Sequence, residues 1–198
     1  LKSLKNNKNV KSSLFVTSLI LLVLWVVFLV NDSIPLDLRD FGLKPREFLG
    51  LIGILTYPLL HGDWKHITDN SIPAFVLLFG MFSFYGRLGW QVLGWSWLMS
   101  GLWMWVAARE GNHIGFSGII YALASFIFFS GVFENILTDG FVLDRGFSLW
   151  IKVWGVLPIQ QGVSWEGHLF GAIAGAILAY YFRNQGPQRP MYSWELED

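Results

Sequence analysis

Ser117 and His168 are the two residues of this 198-residue chain whose types and sequence surroundings best suit nucleophilic catalysis. Ser117 stands in the sequence Gly115-Phe116-Ser117-Gly118, where the glycines would expose its hydroxyl and let another backbone approach closely. A serine hydroxyl has a pKa far above 7 and needs a positioned base to accept its proton. His168, at the start of a later apolar segment, can be that base. The pair predicts a Ser-His dyad if the fold brings the two residues together.

A dyad also needs donors for the negative charge that develops on a carbonyl oxygen. His66 and Asn70 are spaced i, i+4 and therefore share one face of a helix. Their side chains, together with the backbone N–H of Ser117 at a helix N-terminus, can supply such donors. No Asp or Glu is obviously placed to orient His168, but Tyr121 lies one turn after Ser117 and can stack on the imidazole.

Each of these residues also has a purely structural interpretation. A serine between glycines in a membrane helix is commonly a packing residue. The run Gly167, Gly171, Gly175 indicates close packing, and we expect it to draw its helix against the helix of Ser117. Glu166, next to His168, is either a charge on the outer surface or a weak partner that supports His168, and we favour the surface charge. The convergence of several polar residues at one membrane surface favours a functional site over packing alone.

The four histidines, His61, His66, His113 and His168, could in principle bind a metal. No H-E-x-x-H motif occurs, and the i, i+5 spacing of His61 and His66 does not suit one helical face. We therefore expect neither a metal nor another cofactor. The sequence has no cysteine, which excludes disulfides, thiolate metal sites and cysteine nucleophiles.

The composition is that of a membrane protein. Hydrophobic residues make up 54% of the chain and charged residues 14%, whereas soluble proteins average about 25% charged residues. The net charge is zero, so there is no basic surface for nucleic acid, which we exclude as a partner. We therefore expect the protein to be embedded in a lipid bilayer.

Apolar segments of the length that a bilayer demands occur six times. Five are clear: 12–30, 66–85, 88–108, 115–133 and 165–182. The sixth, 141–159, contains charged residues and is a weaker candidate. It is included because the segments before and after it would otherwise enter the membrane from opposite sides. The chain thus predicts an all-α polytopic membrane protein with a six-transmembrane-helix bundle over 12–183, a cytoplasmic segment 1–11 and a cytoplasmic tail 184–198.

Basic residues predict the orientation of this bundle. The N-terminal lysines, Arg87, Arg145 and Arg183 all fall on one side if six helices alternate, and the positive-inside rule makes that side cytoplasmic. The first apolar segment is longer than the core of a signal peptide, so we expect it to be retained. Residues 31–65, with an amphipathic stretch 48–60, should form an ordered loop at the opposite membrane interface.

Taken together, these residues resemble the rhomboid family of intramembrane serine proteases. The resemblance covers about residues 61–180 and rests on three blocks in the family's order. These are His61-x4-His66-x3-Asn70, then Gly115-Phe116-Ser117-Gly118-x2-Tyr121, then Gly167-His168-Leu169-Phe170-Gly171 followed by small residues through Gly175. The chain departs from the family pattern in its first loop, where a Trp-Arg pair is not evident, and after the second helix, where an acidic-x-Arg pattern survives only as Arg87.

The resemblance implies a serine endopeptidase, of a bacterial type, that cleaves transmembrane segments of other membrane proteins near their outer ends. The implied roles are Ser117 as nucleophile, His168 as base, His66 and Asn70 in the oxyanion hole, Tyr121 packed on the base, and His61, Gly115 and Gly118 in support. The implied location is the inner membrane, with the site facing the extracytoplasmic side.

Two alternatives remain open at this point. A rhomboid-like protein could bind membrane helices without cutting them, although non-catalytic relatives generally lack the serine or the histidine. A small transporter would also keep polar residues in the membrane, but it is typically built from inverted repeats, and none is found in the sequence. We make no prediction of the natural substrate or of the oligomeric state.

Overall fold

In the computed structural model, every regular element of the described residues is a helix. The structure describes residues 2–133 and 164–187, and within these ranges there are six α-helices and two short 3-10 helices. The α-helices are α1 (Lys2–Ser33), α2 (Gly50–Thr56), α3 (Trp64–Phe84), α4 (Leu88–Ala107), α5 (Ser117–Phe133) and α6 (Trp165–Tyr181); the 3-10 helices are Leu38–Phe41 and Tyr57–Leu59. The all-α prediction is confirmed for the described residues.

Five of the six predicted membrane spans correspond to described helices. Four of them shift by at most two residues at either end, whereas α1 begins ten residues before its predicted span and ends three residues after it. Val10–Ser33 within α1, and α3, are long and apolar enough by themselves to cross a membrane. Helix α5 is apolar but has 17 residues. The number of six crossings therefore stays a prediction, and the predicted span 141–159 lies outside the described residues.

Capping residues mark the starts of α3 and α6. The carboxylate of Asp63 accepts a hydrogen bond from the backbone N–H of His66 at 2.8 Å. The hydroxyl of Ser164 accepts one from the N–H of Gly167 at 3.3 Å. Each cap satisfies an N–H group that has no partner within its own helix. The Asp63 cap explains why α3 begins at Trp64, two residues earlier than predicted.

Glycines bring α5 and α6 into direct backbone contact. A β-carbon at Gly171 would collide with the carbonyl oxygen of Gly118, and one at Gly175 would collide with that of Ala122. A β-carbon at Gly118 would in turn lie 3.1 Å from the carbonyl oxygen of Gly167. The predicted packing of this glycine run is confirmed. Because residues 118 and 122 face 171 and 175, the two helices run parallel and begin at the same end of the bundle.

The apolar core packs beside this helix contact. Its side chains come mainly from α3, α4 and α5. The most deeply buried are Leu78, Met81, Val92, Ile119, Leu123 and Phe126.

The connection between α1 and α3, residues 34–63, is here named the first loop. It is fastened to the end of α4, where the Arg46 guanidinium donates to the carbonyl oxygen of Ala108 at 2.7 Å. Deeper in the structure, the hydroxyl groups of Tyr57 and Ser100 lie 2.8 Å apart. The prediction that this loop is ordered is confirmed.

One face of the first loop is apolar and exposed. Helix α2 falls inside the amphipathic stretch predicted at 48–60. Phe48 is 84% exposed, and Leu49 and Leu55 are also exposed. An ordered, exposed apolar face of this kind is typical of an element that lies in a membrane interface.

Candidate active site

Ser117 and His168 meet at the starts of α5 and α6. The Nε2 atom of His168 lies 2.7 Å from the Oγ atom of Ser117, within hydrogen-bonding distance. Ser117 is the first residue of α5, and His168 lies in the first turn of α6. The backbone contact between these parallel helices sets this distance, because it keeps their first turns side by side.

The imidazole of His168 stacks on the ring of Tyr121. The ring centroids are 4.4 Å apart and the planes are inclined by 19°. Tyr121 extends from α5 one turn after Ser117, as the sequence predicted. The stack restricts rotation of an imidazole that is itself buried. It therefore keeps Nε2 directed at the serine hydroxyl.

His66 and Asn70 face the turn that precedes Ser117. Gly115 in that turn has φ +117°, a conformation that strongly favours glycine. A β-carbon there would lie 2.5 Å from Nε2 of His66 and 3.8 Å from Nδ2 of Asn70. The absence of a side chain on Gly115 thus lets this turn approach the His66 ring closely. The Nδ2 atom of Asn70 is buried and has no hydrogen-bond partner among the described residues.

The hydrogen bonds of His66 indicate which ring nitrogen carries its proton. The backbone N–H of Gly62 points at Nδ1 of His66 across 3.4 Å, so Nδ1 acts as the acceptor. In a neutral imidazole the other nitrogen then carries the hydrogen. Nε2, the atom facing Gly115, is therefore the donor that this site can use.

The start of α5 contributes a further donor. The first N–H groups of a helix have no partner within the helix and lie at the positive end of its dipole. The turn before it is anchored, since the N–H of Gly115 donates to the carbonyl oxygen of Tyr57 at 2.8 Å. The first loop thus holds the turn that leads into Ser117.

The ring of His61 packs against the ring of His66. The ring centroids of the two histidines are 5.0 Å apart in an edge-to-face arrangement. His61 is only 2% exposed. Burial, and secondly the positive charge that His66 can carry, lower the pKa of His61 to about 4. His61 is therefore neutral near pH 7 and packs against His66 as an uncharged ring.

The sequence analysis did not identify the two residues that position the start of α6. The Nδ1 atom of His113 lies 2.6 Å from the hydroxyl of Ser164, the residue that caps α6. The Nε2 atom of His113 lies 3.0 Å from the carbonyl oxygen of Arg109. His113 also pairs through its backbone with Leu43 of the first loop. Its role is to join the first loop, the α4–α5 connection and the start of α6.

The expectation that Glu166 is a surface charge is wrong. Glu166 is 3% exposed, and its carboxylate pairs with the guanidinium of Arg109 at 3.1 Å. A buried carboxylate requires a partner charge, because loss of hydration is otherwise too costly. The pair attaches the first turn of α6 to the end of α4, two residues before His168.

The described part of the chain contains no group of three histidine, cysteine, aspartate or glutamate residues that could hold a metal. What the site does contain is a nucleophile hydrogen-bonded to a base, with several N–H donors on one side. This arrangement has the components of acyl transfer by a serine hydrolase.

Comparison with known proteins gives one consistent family. The sequence model of the Rhomboid domain matches residues 49–185, a range that includes every residue of the candidate site. An uncharacterized protein of Mycobacterium tuberculosis (strain ATCC 25618 / H37Rv) is 33% identical over 169 residues, covering 80% of this chain and 70% of that protein. An uncharacterized protein of Mycobacterium leprae (strain TN) is 32% identical over 169 residues, covering 80% and 66%. The "Putative rhomboid protein L523" of Acanthamoeba polyphaga mimivirus is 24% identical over 176 residues, covering 85% and 91%.

Proposed function

The chain belongs to the rhomboid family, and on that basis we propose that it is an intramembrane serine endopeptidase with a Ser117–His168 dyad. Its substrates are the transmembrane segments of other membrane proteins, cut near their outer ends. The observation that carries the proposal is the 2.7 Å separation of Oγ of Ser117 and Nε2 of His168 at two adjoining helix starts.

In the first half of the reaction, Oγ of Ser117 attacks the carbonyl carbon of the scissile peptide bond. Nε2 of His168 accepts the hydroxyl proton as the new C–O bond forms. His168 then gives this proton to the leaving amide nitrogen, and the C–N bond breaks. An acyl-enzyme on Ser117 and a free amine are the products of this half.

The tetrahedral intermediate carries a negative charge on the former carbonyl oxygen. Nε2–H of His66, the Nδ2 amide of Asn70 and the N–H of Ser117 are the donors proposed to stabilise this charge. The buried and unpartnered Nδ2 atom of Asn70 supports this role, because a donor kept ready for a transient charge has no ground-state acceptor.

In the second half, water attacks the acyl carbon while His168 accepts a proton from it. His168 returns that proton to Oγ of Ser117 as the ester bond breaks, which releases the carboxylic acid and restores the dyad. Water must therefore reach the starts of α5 and α6 from the adjacent membrane surface.

A helical substrate hides the amides that must be cut. In a helix each carbonyl oxygen accepts a hydrogen bond from the N–H four residues on, which blocks approach to the carbonyl carbon. We propose that substrates unwind locally at the site, so that residues such as glycine or proline near the scissile bond favour cleavage.

The proposed setting is a bacterial inner membrane, with six membrane-spanning helices over 12–183 and both flanking segments, 1–11 and 184–198, in the cytoplasm. The dyad then faces the extracytoplasmic side. Reporter fusions after Asn31 and after Asp198 test this topology, and they should report opposite compartments. Reporters in the same compartment would contradict the six-span arrangement.

Cleavage of a single-span model substrate by the purified full chain in liposomes tests the activity. We expect cleavage by the wild-type protein and none by Ser117→Ala or His168→Ala. Ser125→Ala is the matched control, since Ser125 lies on the same helix and donates to the carbonyl oxygen of Ala172. It should cleave like the wild type.

Labelling with a fluorophosphonate probe tests the reactivity of the dyad independently of substrate recognition. The wild type and Ser125→Ala should be labelled, and Ser117→Ala should not. Labelling of Ser117→Ala at the wild-type level would refute the assignment of the nucleophile. Substrate binding without cleavage or labelling would instead identify a non-catalytic rhomboid-like binding protein.

A further inference from the structure

A cavity lies at the end of the bundle opposite the dyad, and its walls are partly polar and partly aromatic. It has a volume of about 450 Å³ and is bordered by α1, the end of α3 and the start of α4. Helix α3 connects the two ends, and the 17 positions from His66 to Ser83 span roughly 25 Å at about 1.5 Å per residue, close to the thickness of a bilayer core. The cavity is thus at the other membrane surface and takes no part in the proposed hydrolysis.

Hydroxyl groups and one cation supply the polar lining of this cavity. Ser12 and Ser13 reach it from α1, Ser83 from α3, and Arg87 from the α3–α4 connection. None of the described residues that line it carries a carboxylate. The cavity is therefore electropositive and rich in hydrogen-bond donors.

Two of these side chains are not satisfied by the protein itself. The Oγ atom of Ser83 is buried and has no hydrogen-bond partner among the described residues. The guanidinium of Arg87 is exposed and takes part in none of the ion pairs of the described chain. A buried hydroxyl costs free energy unless it is hydrogen-bonded, so an acceptor is missing beside Ser83.

The rest of the wall is aromatic and reaches the outside of the bundle. Phe84 and Trp90, which line the cavity on either side of Arg87, are both exposed. Aromatic side chains of this kind lie at the headgroup level of a membrane, with their apolar parts towards the acyl chains. An occupant with a phosphate in the cavity could therefore continue as an acyl chain along these rings.

We propose that this cavity binds the phosphate of an anionic phospholipid from the leaflet at that surface. The Arg87 guanidinium pairs with the phosphate oxygens, and the hydroxyls of Ser83 and Ser12 donate to them. Without a carboxylate in the lining, the ammonium of a phosphocholine headgroup has no anionic partner there and would lie near the like charge of Arg87. The site should therefore select lipids with a net negative headgroup.

Native mass spectrometry of the delipidated full chain in detergent tests the proposal. The lipid probe is phosphatidylglycerol, compared with phosphatidylcholine of the same acyl chains and with soluble glycerol 3-phosphate. We expect phosphatidylglycerol to bind at least about tenfold more tightly than the other two, and Arg87→Gln to lose about that factor, the size of one charge-assisted hydrogen bond. Ser83→Ala should lose less.

Arg183→Gln is the matched control, since Arg183 follows α6 at the same end of the bundle and is exposed, and its substitution removes the same charge. It should keep the wild-type affinity for phosphatidylglycerol. Equal losses in the Arg87 and Arg183 variants would overturn the site in favour of general charge attraction. Competition by glycerol 3-phosphate as strong as that of the lipid would overturn the lipid assignment, and equal binding of phosphatidylcholine would overturn the charge selectivity. All of these measurements can be made on Ser117→Ala protein, so they do not depend on proteolysis.

Discussion

The imidazole of His113 and the hydroxyl of Ser164 lie 2.6 Å apart, so a residue of the α4–α5 connection holds the cap of the helix that carries His168. His168 is the fourth residue after the cap, which is about one turn of helix. The position of the proposed base therefore depends on contacts made by residues that touch no substrate. Together with the Arg109–Glu166 pair, this contact fixes the start of α6 from two sides.

Removing the cap should lower both stability and turnover. Ser164→Ala should cost about 1 kcal/mol of the free energy of unfolding. It should reduce kcat by up to about 10²-fold because the base is displaced, with little change in KM. Ser164→Thr keeps a hydroxyl and should restore both. Measuring kcat and melting temperature on one preparation decides the role, and a destabilised variant with a normal kcat would show that Ser164 does not position His168.

Asn70→Ala should slow the chemical step. Its amide acts only once charge has moved to the carbonyl oxygen, so the loss should appear in kcat and not in KM. Loss of one oxyanion donor costs about 10² to 10³ in kcat, and we expect the lower end here, because His66 and the Ser117 N–H remain.

Asp69→Asn is the control for this substitution. Asp69 is the exposed neighbour of Asn70 on α3, where it pairs with Lys65. This variant should keep the wild-type kcat. An Asn70→Ala protein that melts at a lower temperature but turns over normally would remove Asn70 from the site.

Gly171→Ala should disturb the geometry of the dyad by forcing apart the two helices that carry it. The added β-carbon meets the backbone carbonyl of Gly118, which cannot move aside as a flexible side chain could. Overpacking of this kind costs about 1–3 kcal/mol. The resulting separation of α5 and α6 should also reduce fluorophosphonate labelling of Ser117.

Gly80→Ala is the matched control, because nothing lies within 4 Å of the position that its β-carbon would take. It should be neutral or slightly stabilising, since alanine favours a helix more than glycine does. If Gly171→Ala behaved like Gly80→Ala, the backbone contact would not determine the geometry of the dyad.

The protein should lose stability in mild acid through His61. The folded state lowers the pKa of His61 to about 4, whereas in an unfolded chain it is about 6.5. Between these values the unfolded state binds more protons, so the stability that the neutral ring provides above pH 6.5 is lost as the pH falls towards 4. The loss should be on the order of 3 kcal/mol.

Melting temperatures of the wild type and His61→Gln across pH 4 to 7 check this expectation. Glutamine does not titrate, so the pH dependence over this interval should be weaker in the variant. If the melting temperatures of the wild type and the variant changed equally with pH, His61 would be excluded as the responsible group.

The sequence was sufficient to predict the parts of the site that depend on helix periodicity. His66 and Asn70 were predicted to share one face of a helix and Tyr121 to follow Ser117 by one turn, and α3 and α5 place them so. The glycine run predicted the α5–α6 contact for the same reason, since a spacing of four keeps small residues on one helical face.

The contacts of His113 and Glu166 could not be predicted in this way. Each joins residues far apart in the chain, 51 positions for His113–Ser164 and 57 for Arg109–Glu166. Glu166 was assigned to the surface because acidic side chains are rarely buried. Only the folded arrangement of the α4–α5 connection shows that a guanidinium is available to neutralise it. The capping role of Asp63 did have a local signal, an aspartate three residues before His66 at the edge of an apolar segment.

The backbone contact between α5 and α6 also determines how the protein should respond to bilayers of different thickness. A helix whose apolar length does not match its bilayer tilts. Because α5 and α6 touch through glycines, they must tilt as one rigid unit, which keeps Ser117 against His168 and changes only their depth below the membrane surface. Acyl-chain length should then shift the position of the cut along a substrate while the dyad stays equally reactive. Mass spectrometry of the products from thin and thick bilayers would detect this shift, and an unchanged cleavage position with a changed rate of probe labelling would contradict it.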